Sequence, residues 1–419
     1  MSGLLGQRAV VVGAGIGGLS VAAVLAKHFE RVEILERDRL TRSAASRSGT
    51  PQDRHPHGLL AGCLKALGEI FPGFENDLAR AGAVAVRVSQ DMQYERPDIG
   101  VMPKRDFGIS LLCASRPLIE LALRRRAEAV ANITLRPASR VTGIVPAACG
   151  VGVRGVRFVN GSAHWEILEA DLVVDASGRG AMTPTLFDAI GWERPEETEV
   201  GVDIRYATVV VAIPPHAPPE WKVVLTQPDP PAVPWHAVLV PMEDSRWIIV
   251  IADHGAGAPI ESWDDFLEAS RLLITPTMFN ALRHAAPPHS IRHYRLLASI
   301  WKHFERLPRL PRGVLPVADA LCRFNPIHGQ GMSSAAKQAR LLQDILGRVA
   351  RESDPVVALQ SGFMAEVASV LETPWNMSTS AGLAFPRTRG ERPANFEDAR
   401  QFDAALFRTA VADPAVHRT

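Results

Sequence analysis

A chain of 419 residues with 47% hydrophobic content and ordinary levels of Gly, Pro and charge can bury a large core, and its length favours two lobes. Lys plus Arg (46) nearly cancels Asp plus Glu (45) and neither sign forms a long run, which points away from nucleic acid and anionic lipid and toward a small-molecule partner. No apolar run is long enough to span or anchor in a bilayer, no signal peptide is read, and Cys63, Cys113, Cys149 and Cys322 stand in no metal-ligand or redox spacing, so the expectation is a cytoplasmic protein with no metal site and with cysteines acting as buried small hydrophobes.

Arg8-Ala9-Val10-Val11-Val12 is β-branched and continuously apolar, as in a strand of a parallel sheet buried on both faces. Gly13-Ala14-Gly15-Ile16-Gly17-Gly18 follows, then a helix-length run of small and apolar residues from Leu19 to Lys27, then a second strand, Val32 to Glu36. A βαβ frame is what a dinucleotide fingerprint requires. Gly13 permits the tight turn, Gly15 lets the backbone approach a pyrophosphate, Gly18 lets the helix pack on the strand, and the helix start at Ile16 offers N–H groups and positive dipole. Glu36, eighteen residues beyond Gly18 and followed by Arg37, is placed to accept from both ribose hydroxyls, which disfavours a 2′-phosphate there and assigns the adenosine to FAD or NAD.

Farther along, Pro117 to Ala129 reads as a helix with Pro in its first turn, followed by a strand at Ile133 to Leu135. Residues 141–170 read as a small antiparallel meander with Asn160-Gly161 as a hairpin turn, and Leu172 to Ala176 returns to the buried parallel pattern. From Glu199 apolar and polar residues alternate (Val200, Val202, Ile204, Tyr206), the sign of a half-solvated antiparallel strand, and two more strands are read at His236 to Pro241 and Arg246 to Ala252. The Pro-rich stretch 214–234 reads as surface loop. Val314 to Val317 resumes the buried pattern, a helix follows from about Met332, and the tail 354–419 reads as mixed helix and coil.

With the glycine loop and Glu36, three later segments make the chain similar to the FAD-dependent monooxygenases of the aromatic-hydroxylase superfamily. They are Ser115-Arg116-Pro117-Leu118-Ile119-Glu120; Asp171 to Gly180, with its Asp175-Ala176-Ser177-Gly178 turn; and Val317-Ala318-Asp319-Ala320 followed by Phe324-Asn325-Pro326-Ile327-His328-Gly329-Gln330-Gly331-Met332. The resemblance implies an α/β fold: a GR2-type Rossmann-like FAD-binding domain (1–80, 110–185 and 300–353), an inserted, mostly antiparallel β-sheet substrate domain (81–109 and 186–299) and a C-terminal helical segment (354–419). It further implies that Arg116 lies against the FAD, that Asp319 bonds the ribityl chain, and that Pro326, Gly329, Gln330, Gly331 and Met332 form a loop and helix start beside the isoalloxazine. A helix N-terminus there suits the negative charge of a reduced flavin. Gln52-Asp53-Arg54-His55-Pro56-His57 resembles a Gln-x-x-His-x-His segment that runs under the flavin, which assigns His57 to the cofactor, although loop histidines bonded to backbone account for the pattern equally well.

The sequence departs from the pattern at Ser177, where many single-component members carry an acidic residue, and at Ala318, where Gly is usual. The activity implied is reduction of FAD by NADH or NADPH, reaction with O₂ at flavin C4a, and hydroxylation or epoxidation of an electron-rich aromatic or alkene substrate, either a small molecule or a peptidyl tryptophan. A prenyl-type saturating reductase and a non-catalytic flavin-binding sensor or assembly protein are the alternatives. A halogenase fits less well, because the paired-tryptophan motif ending in Ile-Pro is absent. Trp235 and Trp247 are read as core residues or as walls of a substrate cavity. Neither a catalytic acid or base nor the oligomeric state follows from the sequence.

Overall fold

The computed structural model describes residues 4–148, 150–161, 164–180, 182–255 and 257–418. Cys149 and Ser162-Ala163 of the meander lie outside the described residues.

Five short strands form an all-parallel sheet in the order Val314–Pro316, Leu172–Asp175, Gly6–Val12, Phe29–Leu35, Ile133–Arg136. Gly6–Val12 is central and the order reverses about it, so a crevice opens beyond its carboxyl end, where open α/β sheets bind ligands. Both faces are covered. Helices Ile16–Leu25, Arg116–Glu128, Gln330–Val349 and Pro355–Leu383 pack on one, with Val11, Leu19, Ile34, Ile119, Leu342 and Phe363 in the core. The antiparallel meander Arg140–Pro146, Val153–Val159, Trp165–Glu169 covers the other, through Val10, Val12, Val156, Phe158 and Val173. Two-sided burial is what the unbroken apolar strands require.

The second lobe is built on an eight-stranded sheet ordered Cys322–Arg323, Arg292–Lys302, Glu197–Ala212, Arg246–Asp253, Trp235–Met242, Val223–Thr226, Met92–Arg96, Gly100–Val101. All pairings are antiparallel except that of Val223–Thr226 with Met92–Arg96. Helices Trp263–Arg271 and Thr277–Leu282 close one face of it over Val209, Val211, Trp247, Ile249 and Phe266. The other face looks back at the parallel sheet.

Two features differ from expectation. Within the stretch read as loop, Val223–Thr226 is a strand: four residues suffice when both neighbours in the sheet supply partners, and so short a run leaves no periodicity among its prolines. The meander turn is longer than Asn160-Gly161, for the strands stop at Val159 and resume at Trp165, with the Asn160 N–H donating to the His164 carbonyl (3.0 Å). The tail is helix and coil as expected, with helices Pro355–Leu383, Phe396–Ala412 and Pro414–Arg418, the first of which continues through Pro374. Cys63, Cys113 and Cys322 are buried free thiols, and burial pushes those of Cys63 and Cys113 up to about 12.

Candidate functional site

The glycines of the first turn divide by what a side chain would meet. Gly13 has φ +104°, and a Cβ there would lie 2.7 Å from the Ala176 carbonyl oxygen. At Gly18 the Cβ would sit 2.0 Å from the Gly13 carbonyl oxygen, so the helix can approach its strand this closely only with glycine. Gly15 is the opposite case: among the described residues nothing lies within 4 Å of its Cβ position, and it opens the buried helix Ile16–Leu25 without any acidic residue in the first turn. An open, electropositive helix start fits a phosphate.

Glu36 is buried beside this turn. Its Oε2 accepts from the Ala14 N–H (2.8 Å) and its Oε1 from the Asp38 N–H (2.9 Å), while Arg47 Nη1 lies 3.2 Å from Oε2. Oε1 therefore has one lone-pair direction left for a ribose hydroxyl. Arg37 is exposed. Arg47, which no sequence pattern singles out, is the hub of a buried acidic cluster: it contacts Glu36, Asp38 (3.0 Å) and Glu120 (3.0 Å). Asp38 also accepts from the Ser48 hydroxyl and the Gly49 N–H, and although burial pushes its carboxyl up, these bonds and Arg47 hold it below the usual range. Arg116 Nε donates to Glu120 Oε1 (2.8 Å), one helical turn away. Its two terminal nitrogens have no protein partner among the described residues.

Asp319 is the middle residue of the 3-10 turn Ala318–Ala320, whose first residue has φ +53°, a left-handed conformation that favours glycine. The Ala318 N–H donates to Gln338 Oε1 (2.7 Å), and a Cβ on Gly17 would be 2.8 Å from the Ala318 Cβ, so the turn packs directly on the first helix start. Asp319 is accessible yet surrounded by protein, the situation of a residue lining a deep cleft. Desolvation pushes its carboxyl up, against the opposing pull of Arg116, Arg323 and Arg179. The Asp175-to-Gly178 turn closes the same cleft: Asp175 is fully buried and accepts from Ser177 and Thr183, leaving the Gly178 Cβ position 4.0 Å from the Asp319 Cβ.

The loop after Phe324 is held by Asn325, whose Oδ1 accepts from the Tyr206 hydroxyl (3.0 Å) and the Ile327 N–H (3.3 Å). Pro326 and Gly329 are exposed, Met332 is buried, and Gly329 (φ +63°) starts the helix Gln330–Val349. Among the described residues nothing lies within 4 Å of a Cβ at Gly329 or Gly331. Gln330 Nε2 turns back to the His328 carbonyl (3.4 Å). His57 Nδ1 bonds the His55 carbonyl (2.7 Å), and His55 Nδ1 bonds Thr208 Oγ1 (2.6 Å). Burial lowers His57 to about 3, aided by nearby Arg116, and His55 to about 4, aided by Arg54, so both imidazoles are neutral near pH 7.

The structure thus brings the start of Ile16–Leu25, Arg116, Asp319 and the Asp175-to-Gly178 turn into one neighbourhood, with Glu36 bonded to the first turn and open space at Gly329 and Gly331 of the loop that follows. The second sheet turns one row of side chains toward it: Tyr294, Tyr206, Ala252 and His236, adjacent across four strands. Trp235 and Trp247 point the other way, into the helix-covered core, where Trp247 stacks on Trp221 (5.7 Å) and Trp235 borders a cavity of about 200 Å³. A larger cavity, about 360 Å³, lies between Arg47, Pro51 and Arg54 on one side and Arg292, His293 and Tyr294 on the other. Sequence reasoning missed Arg47, Asp38 and Arg179. Glu120 alone had a local signal, its i,i+4 spacing from Arg116.

Residues 11–66 match the family model of an NAD(P)-binding Rossmann-like domain. The fold is similar to that of p-nitrophenol 4-monooxygenase PnpA from Pseudomonas putida DLL-E4 (TM-score 0.69, 19% identity, covering 100% of this chain and 96% of that one). It is similar also to PqsL, a probable FAD-dependent monooxygenase from Pseudomonas aeruginosa (TM-score 0.67, 16% identity, 90% and 96%), and to the flavin-dependent brominase Bmp2 (TM-score 0.65, 13% identity, 97% and 98%). In sequence, Protein Rv3254 of Mycobacterium tuberculosis is 30% identical over 94% of this chain and 86% of its own length. The chain belongs to the family of Rv3254.

Proposed function

We propose that the chain is an FAD-dependent monooxygenase that uses NADH or NADPH and O₂ to hydroxylate or epoxidise an electron-rich aromatic or alkene group of a small organic substrate. One observation carries the reading: three segments far apart in sequence converge, with Gly17 packed on Ala318 beside the accessible carboxylate of Asp319 and the Arg116 guanidinium, with free donors, acting on that carboxylate, while open space is left at Gly15, Gly329 and Gly331. The donor set fits the cofactor from end to end. Glu36 retains acceptor capacity for a ribose hydroxyl, the start of Ile16–Leu25 and Arg116 suit the pyrophosphate, and Asp319 accepts from a polyol. The start of Gln330–Val349 directs its dipole to the far end.

Bound FAD supplies hydride acceptance from the nicotinamide and the activation of oxygen. The protein supplies binding, orientation and dryness. His55, His57 and Tyr206 are uncharged, so the wall beside the flavin carries no proton that leaves near neutral pH. Tyr206 through Asn325 ties the Pro326 loop to the substrate sheet, fixing the distance between cofactor and substrate. The cavity bordered by Arg54 and Arg292 is the place we assign to the phosphates of the reductant, Arg47 at its edge being already paired with Glu36, Asp38 and Glu120. The test is direct: the purified protein should be yellow or take up FAD, and should oxidise NAD(P)H with consumption of O₂ in a substrate-stimulated manner. A colourless protein that refuses FAD overturns the reading. Anaerobic saturation of an alkene would assign the reductase chemistry instead, and flavin without turnover on any candidate substrate the binding protein.

A further inference from the structure

On the face of the second sheet that looks toward the Pro326 loop, buried polar atoms lack partners in one neighbourhood. Among the described residues, His254 is 4% exposed and neither ring nitrogen has a hydrogen-bond partner; His236 is 2% exposed and its Nδ1 has none; Asn325 is fully buried and its Nδ2 has none. An unmatched buried donor or acceptor costs about 1–3 kcal/mol, so several together in one place are the mark of a site completed by something else. His236 lies across from Ala252, whose other neighbour is Tyr206, the residue bonded to Asn325. His254 follows two residues after Ala252 on the same side, close enough to act on His236, and its ring is held flat against Phe385 (3.7 Å between centroids). The next row, Thr208, Val250, Val238, Leu225 and Tyr94, is apolar apart from Thr208 and the hydroxyl of Tyr94, and Val238, Leu225 and Tyr94 remain partly exposed, so an apolar surface leads up to the polar group.

The charges around the pair are sparse. The groups acting on His236 are His254 and His328, the one acting on His254 is Asp253, and no Lys or Arg acts on either among the described residues. Asp253 is itself paired with Arg205. Burial lowers His236 to about 3 and His254 to about 4, and lowers His328 in the Pro326 loop as well, so all three rings are neutral near pH 7. A neutral imidazole offers one N–H and one acceptor nitrogen. That combination matches a hydroxyl, which both gives and takes a hydrogen bond, or a carbonyl on the donor side alone. A carboxylate would be buried without a cation, at a cost of several kcal/mol.

Resting on the function proposed above, we infer that His236 and His254, with Asn325, form the polar end of the substrate site and select an uncharged oxygen function, a hydroxyl or carbonyl on an otherwise apolar ring system, over a carboxylate. The flavin-loaded protein is titrated near neutral pH with 2-naphthol and with 2-naphthoate, following the perturbation of the visible flavin absorption. Expected is a Kd for 2-naphthol at least about tenfold below that for 2-naphthoate, as one lost charge compensation implies. His236→Phe and His254→Phe keep an aromatic ring in place and each should weaken 2-naphthol about tenfold, the worth of one buried hydrogen bond, without changing flavin content. Equal or inverted preference, no binding of 2-naphthol, or wild-type affinity in both variants overturns the inference. The comparison of the two ligands on the unaltered protein decides the matter even where a variant fails to fold. A protein that holds no FAD overturns the monooxygenase reading and this inference with it, whereas a flavin-loaded protein with the wrong preference overturns this inference alone.

Discussion

The same substitution three residues apart should have opposite consequences. In Gly15→Ala the new methyl meets nothing within 4 Å and the backbone, at φ −76°, is open to any residue. The apoprotein then feels two small and opposing effects: a poorer helix N-cap, about 0.5–1 kcal/mol against, and a less flexible unfolded chain, about 0.4–1 kcal/mol in favour. Its melting midpoint should stay within about 2 °C of wild type, since a protein this large shifts by only a few degrees per kcal/mol. The methyl nevertheless occupies the space left for a pyrophosphate, so FAD affinity should fall by at least about tenfold, or 1.4 kcal/mol. In Gly18→Ala the methyl would start 2.0 Å from the Gly13 carbonyl oxygen and 3.3 Å from Val11 Cγ1. Backbone must move by about 1 Å, overpacking that costs typically 1–3 kcal/mol, so this apoprotein should melt several degrees lower. Differential scanning fluorimetry of the two apoproteins, with fluorescence titration of FAD into each, separates the cases. If Gly15→Ala binds FAD like wild type, or if it melts as low as Gly18→Ala, the division of these glycines into an open and a closed class is wrong.

Asp319→Asn should raise the melting midpoint of the apoprotein, because it removes a carboxylate that burial disfavours, while weakening FAD by about tenfold; a gain of affinity, read by fluorescence titration, refutes the assigned role. His55, His57, His236 and His254 all have folded-state pKa values below the ordinary 6.5, so the unfolded chain binds more protons than the folded one between roughly pH 6.5 and 4. Stability is therefore full above pH 6.5 and falls as the pH drops, by up to about 1.4 kcal/mol per pH unit for each histidine, and His236→Phe should flatten the dependence seen in urea unfolding. Arg292→Ala should raise KM for the nicotinamide cofactor severalfold with kcat little changed, and the wild-type KM should rise with ionic strength, which steady-state kinetics over a salt series reads. Helix Phe396–Ala412 buries only Ala410 and is held by Arg96 through Asp403 (3.1 Å) and the Phe407 ring (3.9 Å), so Arg96→Ala should speed hydrogen exchange in 396–412 and leave the parallel sheet unchanged.

What was legible in the sequence follows from how each element is specified. The parallel sheet and the first turn were readable because close backbone approach leaves a local mark: Gly13 and Gly18 are glycine for contacts within a few residues or one neighbouring strand. Asp319 was readable because a buried strand seldom ends on a carboxylate without a partner for it to bind, and the structure adds why its predecessor is small. Ala318 holds a left-handed φ and faces Gly17, so the departure from glycine is accommodated by glycine on the opposite side of the contact, a pairing visible only once both segments are placed. Arg47 left no trace because its three acidic partners come from the end of one strand, the loop after it and a helix far along the chain, and no spacing connects them. The four-residue strand Val223–Thr226 was lost among prolines for want of enough residues to show a period. His236 and His254 were the least legible, as a histidine amid apolar neighbours reads as core. What distinguishes them is the absence of a partner in the folded chain, which is a property of three dimensions. The first turn is thus written in backbone constraints that leave local marks in the sequence, whereas the proposed substrate end is written in unpaired side chains, where members of one fold are free to differ.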